Sequence, residues 1–292
     1  MSVCLKYSPF KKGNVKSGIK ASTFNVFTGV LDSYTTNLIE VYSPFKKLLT
    51  SYNGNAIRVR RSSDNSLQWI CFKTNGEWDE DSYLSFIGAG NGFAHTVPGQ
   101  SNARDLIQTS TSAQPQIAKD SNGHYYLYAP SAGFTTTRMI KTGLSIACDD
   151  FTMWHVHSSA SYATVPFGIR YNAAAKERNA INYSSSIAGA IQDNASGTVA
   201  NIGSTGTGVY SYIFSGGQSG NKSSNRLTSS TGTRITDSFT INEMGLGMNA
   251  GGAFWSQNSR IYIAAIWSED KTNSADFDAL ATLGKTIITT SL

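Results

Sequence analysis

Arg260-Ile261-Tyr262-Ile263-Ala264-Ala265-Ile266-Trp267 is a run of eight residues set between polar turn-formers, Gln257-Asn258-Ser259 before it and Ser268-Glu269-Asp270 after it. Isoleucine, tyrosine and tryptophan favour the pleated, extended backbone, and the run is too short for an independent helix, so it reads as a strand. Working outward, comparable short runs lie at His124–Tyr128, Phe151–His157, Val165–Tyr171, Ile187–Ile191, Val209–Phe214 and Phe239–Met248. Gly- and Ser-rich turns separate them. Strands at this frequency predict an antiparallel sandwich from about residue 120 to 270. Residues 215–236 are polar and Gly-rich, the composition of a long surface loop. After the last strand, Asn273 is a good N-cap and Phe277, Leu280 and Leu283 form an apolar stripe, which predicts a closing helix over 274–288.

The first half is more varied. The hexapeptide Tyr7-Ser8-Pro9-Phe10-Lys11-Lys12 recurs as Tyr42-Ser43-Pro44-Phe45-Lys46-Lys47. Ser43 as N-cap and Pro44 as first helical residue predict a short helix over 44–52. Ala56 to Arg61 alternates apolar and basic residues, a strand signal closed by Ser62-Ser63-Asp64-Asn65, and Leu67–Phe72 reads as its partner. Asp79 caps a predicted helix through Phe86, stopped by Gly88. Residues 1–35 carry Lys6, Lys11, Lys12, Lys16 and Lys20 against a single acid, Asp32. They are expected to form an N-terminal arm or anchor, with residues 36–292 as the sandwich domain.

The run from Tyr42 to Asn65, followed by Gly92-Phe93, Gln100-Ser101, Arg104-Asp105, Gln108 and Gln114-Pro115, resembles the opening of the arabinofuranosidase B-type catalytic domain. Similar segments occur in phage structural and tail-fibre-like proteins. The remainder is similar to the concanavalin A-like, laminin G-like sandwich. The fold this resemblance implies is all-β: a concanavalin A-like antiparallel β-sandwich, or jelly roll, with a few short helices and an N-terminal arm. Two departures stand against an activity. Val97-Pro98-Gly99 takes the place of the family's Trp-Tyr-Asp, and the cysteine- and glutamate-bearing catalytic stretch of the enzymes has no counterpart.

Composition bounds the functional classes. Of 292 residues, 15% are charged and 40% hydrophobic. A cytosolic enzyme carries about 25% charged residues, so a surface built on Ser, Thr, Asn and Gly suggests an extracellular or virion protein. The formal net charge of +5 is spread among apolar residues, so nucleic-acid binding is not expected. Cys4, Cys71 and Cys148 are odd in number and widely spaced, the pattern of reduced, buried thiols rather than a disulfide framework or zinc site. No secretion signal and no membrane-spanning run is visible, so no membrane insertion is expected.

His155 and His157 sit two apart on a predicted strand, so both point to one face, with Trp154 on the other. Together with Arg58, Arg60 and Trp255 they are the candidate ligand-binding residues. Neither a third metal ligand nor a cofactor motif is in view, so no metal and no cofactor are expected. A retaining glycosidase needs two carboxyl groups about 5–5.5 Å apart. Glu177, flanked by Lys176 and Arg178, reads as solvated; Glu243, within a strand pattern, is the one single acid of interest in the second half, and no partner for it recommends itself. The expectation that follows is a non-enzymatic phage virion protein of head-fibre, tail-fibre or capsid-decoration type. It would bind host glycans or neighbouring subunits through the sandwich and other virion proteins through the arm, as a homo-oligomer with a trimer favoured. The alternatives are a diverged arabinofuranosidase-like glycoside hydrolase and a free carbohydrate-binding lectin.

Overall fold

The structure is a computed structural model. It describes residues 27–130, 137–149 and 151–159 continuously, and from 164 to 284 the strands named below, residues 247, 268 and 269, and the helical residues 275, 279, 280 and 282–284. The strands of the first half are β1 (Leu38–Tyr42), β2 (Ile57–Arg61), β3 (Leu67–Ile70), β4 (Gly92–Val97), β5 (Leu106–Ile107), β6 (Gln116–Lys119), β7 (Tyr125–Tyr128), β8 (Met139–Lys141) and β9 (Ile146–Cys148). Those of the second half are β10 (Thr152–Ser159), β11 (Thr164–Tyr171), β12 (Lys176–Asn182), β13 (Ala190–Asp193), β14 (Thr198–Asn201), β15 (Gly208–Ser215), β16 (Lys222–Ser223), β17 (Phe239–Leu246), β18 (Met248–Asn249), β19 (Gly252–Ala253) and β20 (Ser259–Trp267). The expected all-β sandwich is observed, and its strand pairings are antiparallel.

The run from Arg260 to Trp267 is the centre of one layer. Strand β20 pairs with β1, β10 and β7, and β7 leads through β6 and β4 to β2 and β3. The second layer is β17 flanked by β11, β8 and β9, with β12, β13 and β14 continuing from β11. Between the layers lies the larger core, including Ile57, Val59, Ile117, Leu127, Met153, Phe167, Ile169, Met244 and Ile266. The other face of β20 is buried as well. Tyr262, Ala265 and Trp267 pack with Trp154, Val156, Leu31, Leu48, Leu49 and Leu280 in a second cluster. An antiparallel sheet commonly leaves one face wet; here the segments before and after β1, through Leu31, Leu48 and Leu49, and the closing helix, through Leu280, cover part of it.

One helix is as expected: α1 (Glu80–Ile87) starts at the Asp79 cap and ends at Gly88. It lies on the inner side of the first layer, where Tyr83 meets Trp78 and Tyr125. Residues 279, 280 and 282–284 of the closing helix are helical, and Leu280 is fully buried. The helix predicted over 44–52 is not formed. There the backbone is held from outside: Gln100 accepts from Leu48 N–H at 2.8 Å and donates to the Ser43 and Lys46 carbonyls, and Lys47 N–H bonds the Gly76 carbonyl. Phe45 then enters the main core while Leu48 and Leu49 enter the second, a division that a single helical face could not make. Cysteine usage also differs from expectation: Cys148 is buried, but Cys71 is disulfide-bonded. Of the expected arm, residues 1–26 lie outside the described residues. Residues 27–35 pack on the sandwich, with Leu31 buried and the Tyr34 carbonyl accepting from Trp267 Nε1 at 2.7 Å.

The segment from Gly99 to Asp105 is organised by a buried carboxylate. Glu40 on β1 is wholly inaccessible. Its Oε1 accepts from Val41 N–H (3.0 Å), Ser101 N–H (2.8 Å) and Ser101 Oγ (2.8 Å). Its Oε2 accepts from Asn102 N–H (3.1 Å) and Arg104 N–H (3.0 Å). A side chain at Gly99 would collide with this carboxyl group. Removing acceptor capacity strands several buried N–H donors, each costing about 1–3 kcal/mol. Glu40→Gln, which turns one acceptor oxygen into a donor, is expected to destabilise the fold by about 3 kcal/mol. The measurement is the urea unfolding midpoint; a midpoint unchanged from wild type would show that the segment is held by other contacts.

Candidate functional site

The structure places the sequence-derived candidates on opposite faces of the first layer. His155 and His157 lie on β10 with Met153, opposite Ala264 and Ile261 of β20 in register, and point toward the main core. Trp154 points the other way, as expected. Arg58 and Arg60 lie on β2, where Ile57 and Val59 face the core, so the alternation of the strand turns both arginines outward. Trp255 lies outside the described residues. The histidines and the arginines therefore do not converge on one site.

The two imidazoles are in contact, centroids 4.9 Å apart and planes tilted by 42°, and both are almost wholly buried. Burial disfavours the charged form. It holds His157 down to about 3 and, with His157 adding to the effect, holds His155 well below the ordinary 6.5. Both are neutral at neutral pH and are elements of the interior. No group of three or more His, Cys, Asp or Glu residues suited to a metal occurs among the described residues.

Arg60 is fixed by its surroundings: its Nε donates to Gln114, its Nη1 to Asn65 and its Nη2 to the Thr111 carbonyl, and it lies over the Phe93 ring at 4.5 Å. Arg61 pairs with Asp64. Gln100, Arg104, Gln108 and Gln114, the polar residues that carry the family resemblance, are structural. Gln100 fixes the 43–48 segment, Arg104 donates to the Ile39 carbonyl, Gln108 donates to the Arg138 carbonyl, and Gln114 orients Arg60. Asp105, beside Gly99 N–H at 3.2 Å, is half-buried, and burial raises its carboxyl, with Glu40 adding to the rise.

Glu243 is the acid with a defined partner in the second layer. It stands opposite Arg170 in the β11–β17 register, and its Oε2 accepts from Arg170 Nη1 at 2.8 Å. Neighbouring Ile169 and Met244 are in the main core, so the pair projects from the other side of that layer, about a quarter exposed on each side chain. A separate open groove of about 550 Å³ runs between α1 and β3, lined by Arg61, Gln68, Asp81, Ser82, Ser85 and Phe86.

No family model matches this chain, and no curated protein matches it in sequence. Solved structures do. A glycoside hydrolase family 54 α-L-arabinofuranosidase soaked with a cyclic sulfate inhibitor aligns with TM-score 0.62 at 14% identity, over 88% of this chain. A glutamate-to-glutamine mutant of such an enzyme, soaked with 4-nitrophenyl α-L-arabinofuranoside, gives 0.62 at 15% identity. An arabinofuranosidase complexed with arabinofuranosyl-α-1,2-xylobiose gives 0.60 at 15%. At this identity the likeness shows the fold: a β-sandwich shared with glycoside hydrolases. The chain spans 66% of the length of the first two.

These matches correct the expectation of a non-enzymatic virion protein. The folds aligned with the chain are those of enzymes that act on carbohydrates.

The buried histidine pair has a consequence for acid stability. The unfolded chain takes up protons as pH falls below about 6.5, while the folded chain resists until near 3 at His157. The stability in question is present above about 6.5 and is lost as pH falls from there. Between pH 7 and pH 5 the loss is expected to be about 2 kcal/mol per imidazole. Chemical denaturation at a series of pH values measures it, and His157→Gln should flatten the slope; an equally steep slope in that variant would place the proton uptake elsewhere.

Proposed function

We propose that the chain is a diverged arabinofuranosidase-like glycoside hydrolase, acting on arabinofuranosyl groups of a polysaccharide. The observation that carries this reading is the alignment of 88% of the chain with α-L-arabinofuranosidase structures at TM-score 0.62. Glycoside hydrolysis needs a carboxylate on one face of the sugar and a proton donor for the leaving oxygen. Glu243 supports the first role, since its contact with Arg170 fixes one oxygen and hence the orientation of the group. Partly buried, strand-borne placement favours a defined geometry over a solvated surface acid.

The test is release of 4-nitrophenol from 4-nitrophenyl α-L-arabinofuranoside by the purified protein. Hydrolysis is expected from the wild type and a loss of at least about 100-fold in kcat from Glu243→Gln, with the melting temperature preserved. A wild-type protein without turnover on this and on arabinofuranosyl oligosaccharides would overturn the reading. Turnover unaffected by Glu243→Gln would retain the hydrolase and displace Glu243 from it.

A further inference from the structure

The second core cluster draws its sheet residues from β1, β10 and β20, and none from β2, β3, β4 or β6. What lies on the outer face of those strands follows from the register. Leu67 stands opposite Arg60, Arg60 opposite Phe93, Phe93 opposite Gln116, Gln116 opposite Tyr128, and Tyr128 opposite Arg260. Directly paired residues of an antiparallel sheet share a face. The result is one row of apolar, aromatic and cationic side chains crossing six strands, about 24 Å long at about 4.8 Å per step. Leu67 is 40% exposed, Arg60 is buried beneath Thr111 and Gln114, and Phe93, Gln116, Tyr128 and Arg260 are partly exposed.

Two arginines on this face differ from the others. Arg60, Arg61 and Arg170 each have defined acceptors. Arg58 lies over the Trp69 ring at 5.7 Å, its Nε is buried without a hydrogen-bond partner, and among the described residues no carboxylate pairs with it. Arg260 lies over the Tyr126 ring at 4.7 Å and likewise has no acceptor among the described residues. A guanidinium stacked on an aromatic ring still presents its edge as a bidentate donor for a carboxylate. Arg58 as a residue is only partly buried, and a guanidinium without a counter-ion favours an approaching carboxylate. His95, also on this face beside Thr96, is held below the usual imidazole range by burial and by Arg58 and Arg60. The positive potential here is thus set by the arginines.

We infer that this outer face is a binding track for an acidic oligosaccharide, a chain of sugars bearing ring carboxylates. Arg58 and Arg260 would be its carboxylate contacts, and the partly exposed Tyr128 would offer a ring for stacking. Aromatic faces suit the apolar faces of sugar rings. The strand spacing, comparable with the length of one pyranose unit, lets a chain cross the sheet at about one ring per strand. This inference rests on the reading of the protein as carbohydrate-active and places a second, non-catalytic glycan contact on the layer that does not carry Glu243.

The experiment is calorimetric titration of the intact protein with oligogalacturonate, with its methyl-esterified counterpart, and with a single-stranded oligonucleotide of matched charge. Binding of the free acid is expected, weakened with rising salt and at least about tenfold weaker for the neutral ester. Arg58→Gln/Arg260→Gln should lose about tenfold in affinity at an unchanged melting temperature, and Arg58→Lys/Arg260→Lys should recover part of it. Equal binding of the ester, tighter binding of the oligonucleotide, or a double Gln variant that binds as the wild type would each overturn the inference. Oligogalacturonate binding by a protein that hydrolyses no arabinofuranoside would sink the hydrolase and leave the track; the reverse result would sink the track alone.

Discussion

A carboxylate removed from water and held by five N–H and O–H donors is the constraint on which the first layer depends. Ionised side chains are almost never fully buried without such compensation. Glu40 takes its donors from its own strand and from the backbone and hydroxyl groups between residues 101 and 104. It thereby draws two segments separated by about sixty residues onto one point. Once that segment is fixed, Gln100 is in place to satisfy the 43–48 backbone. That segment in turn supplies Phe45 to one core and Leu48 and Leu49 to the other. The polar network is therefore the frame, and much of the apolar packing is arranged around it.

This explains which parts of the fold were legible in the sequence. The runs at 151–157, 165–171, 209–214 and 260–267 coincide with observed strands because β-branched and aromatic residues are concentrated there between Gly- and Ser-rich turns. The helix at 80–87 was legible because its cap and stop are local. The segment 44–52 was not, because Gln100, which satisfies its backbone, lies 52 residues beyond Leu48. Strand β4, with Gly92, Ala94, His95 and Thr96, has too weak a periodicity to stand out, and it contains the irregularity that sets two of its residues against one step of β2. In β12 the polar run Lys176-Glu177-Arg178-Asn179 obscures a strand that is made by pairing on both sides.

The candidate site was legible only in fragments. The common face of His155 and His157 followed from their spacing, but burial depth does not, and depth is what makes them interior groups. Motif resemblance drew attention to Gln100, Arg104, Gln108 and Gln114, which proved to be framework residues. Glu243 was noticed for its position in a strand, whereas its partner Arg170 lies 73 residues earlier and is brought to it by register alone. Arg58 and Arg60 look equivalent in sequence. They are separated by the presence or absence of an acceptor, a property of loops that pass over the sheet.

The double-faced burial of β20 also governs how the polypeptide can be made. That strand joins β1, β10 and β7, yet it follows all of them in the order of synthesis. Until it emerges, β7 and β10 present open edges to one another across an empty position, and Trp154, Val41 and Leu48 have no strand to close on. Contacts between elements more than 200 residues apart slow the final step of folding and prolong the exposure of such edges. The edges of β1, β7 and β10 close only when the central strand arrives, so its insertion is the late, non-local step of folding.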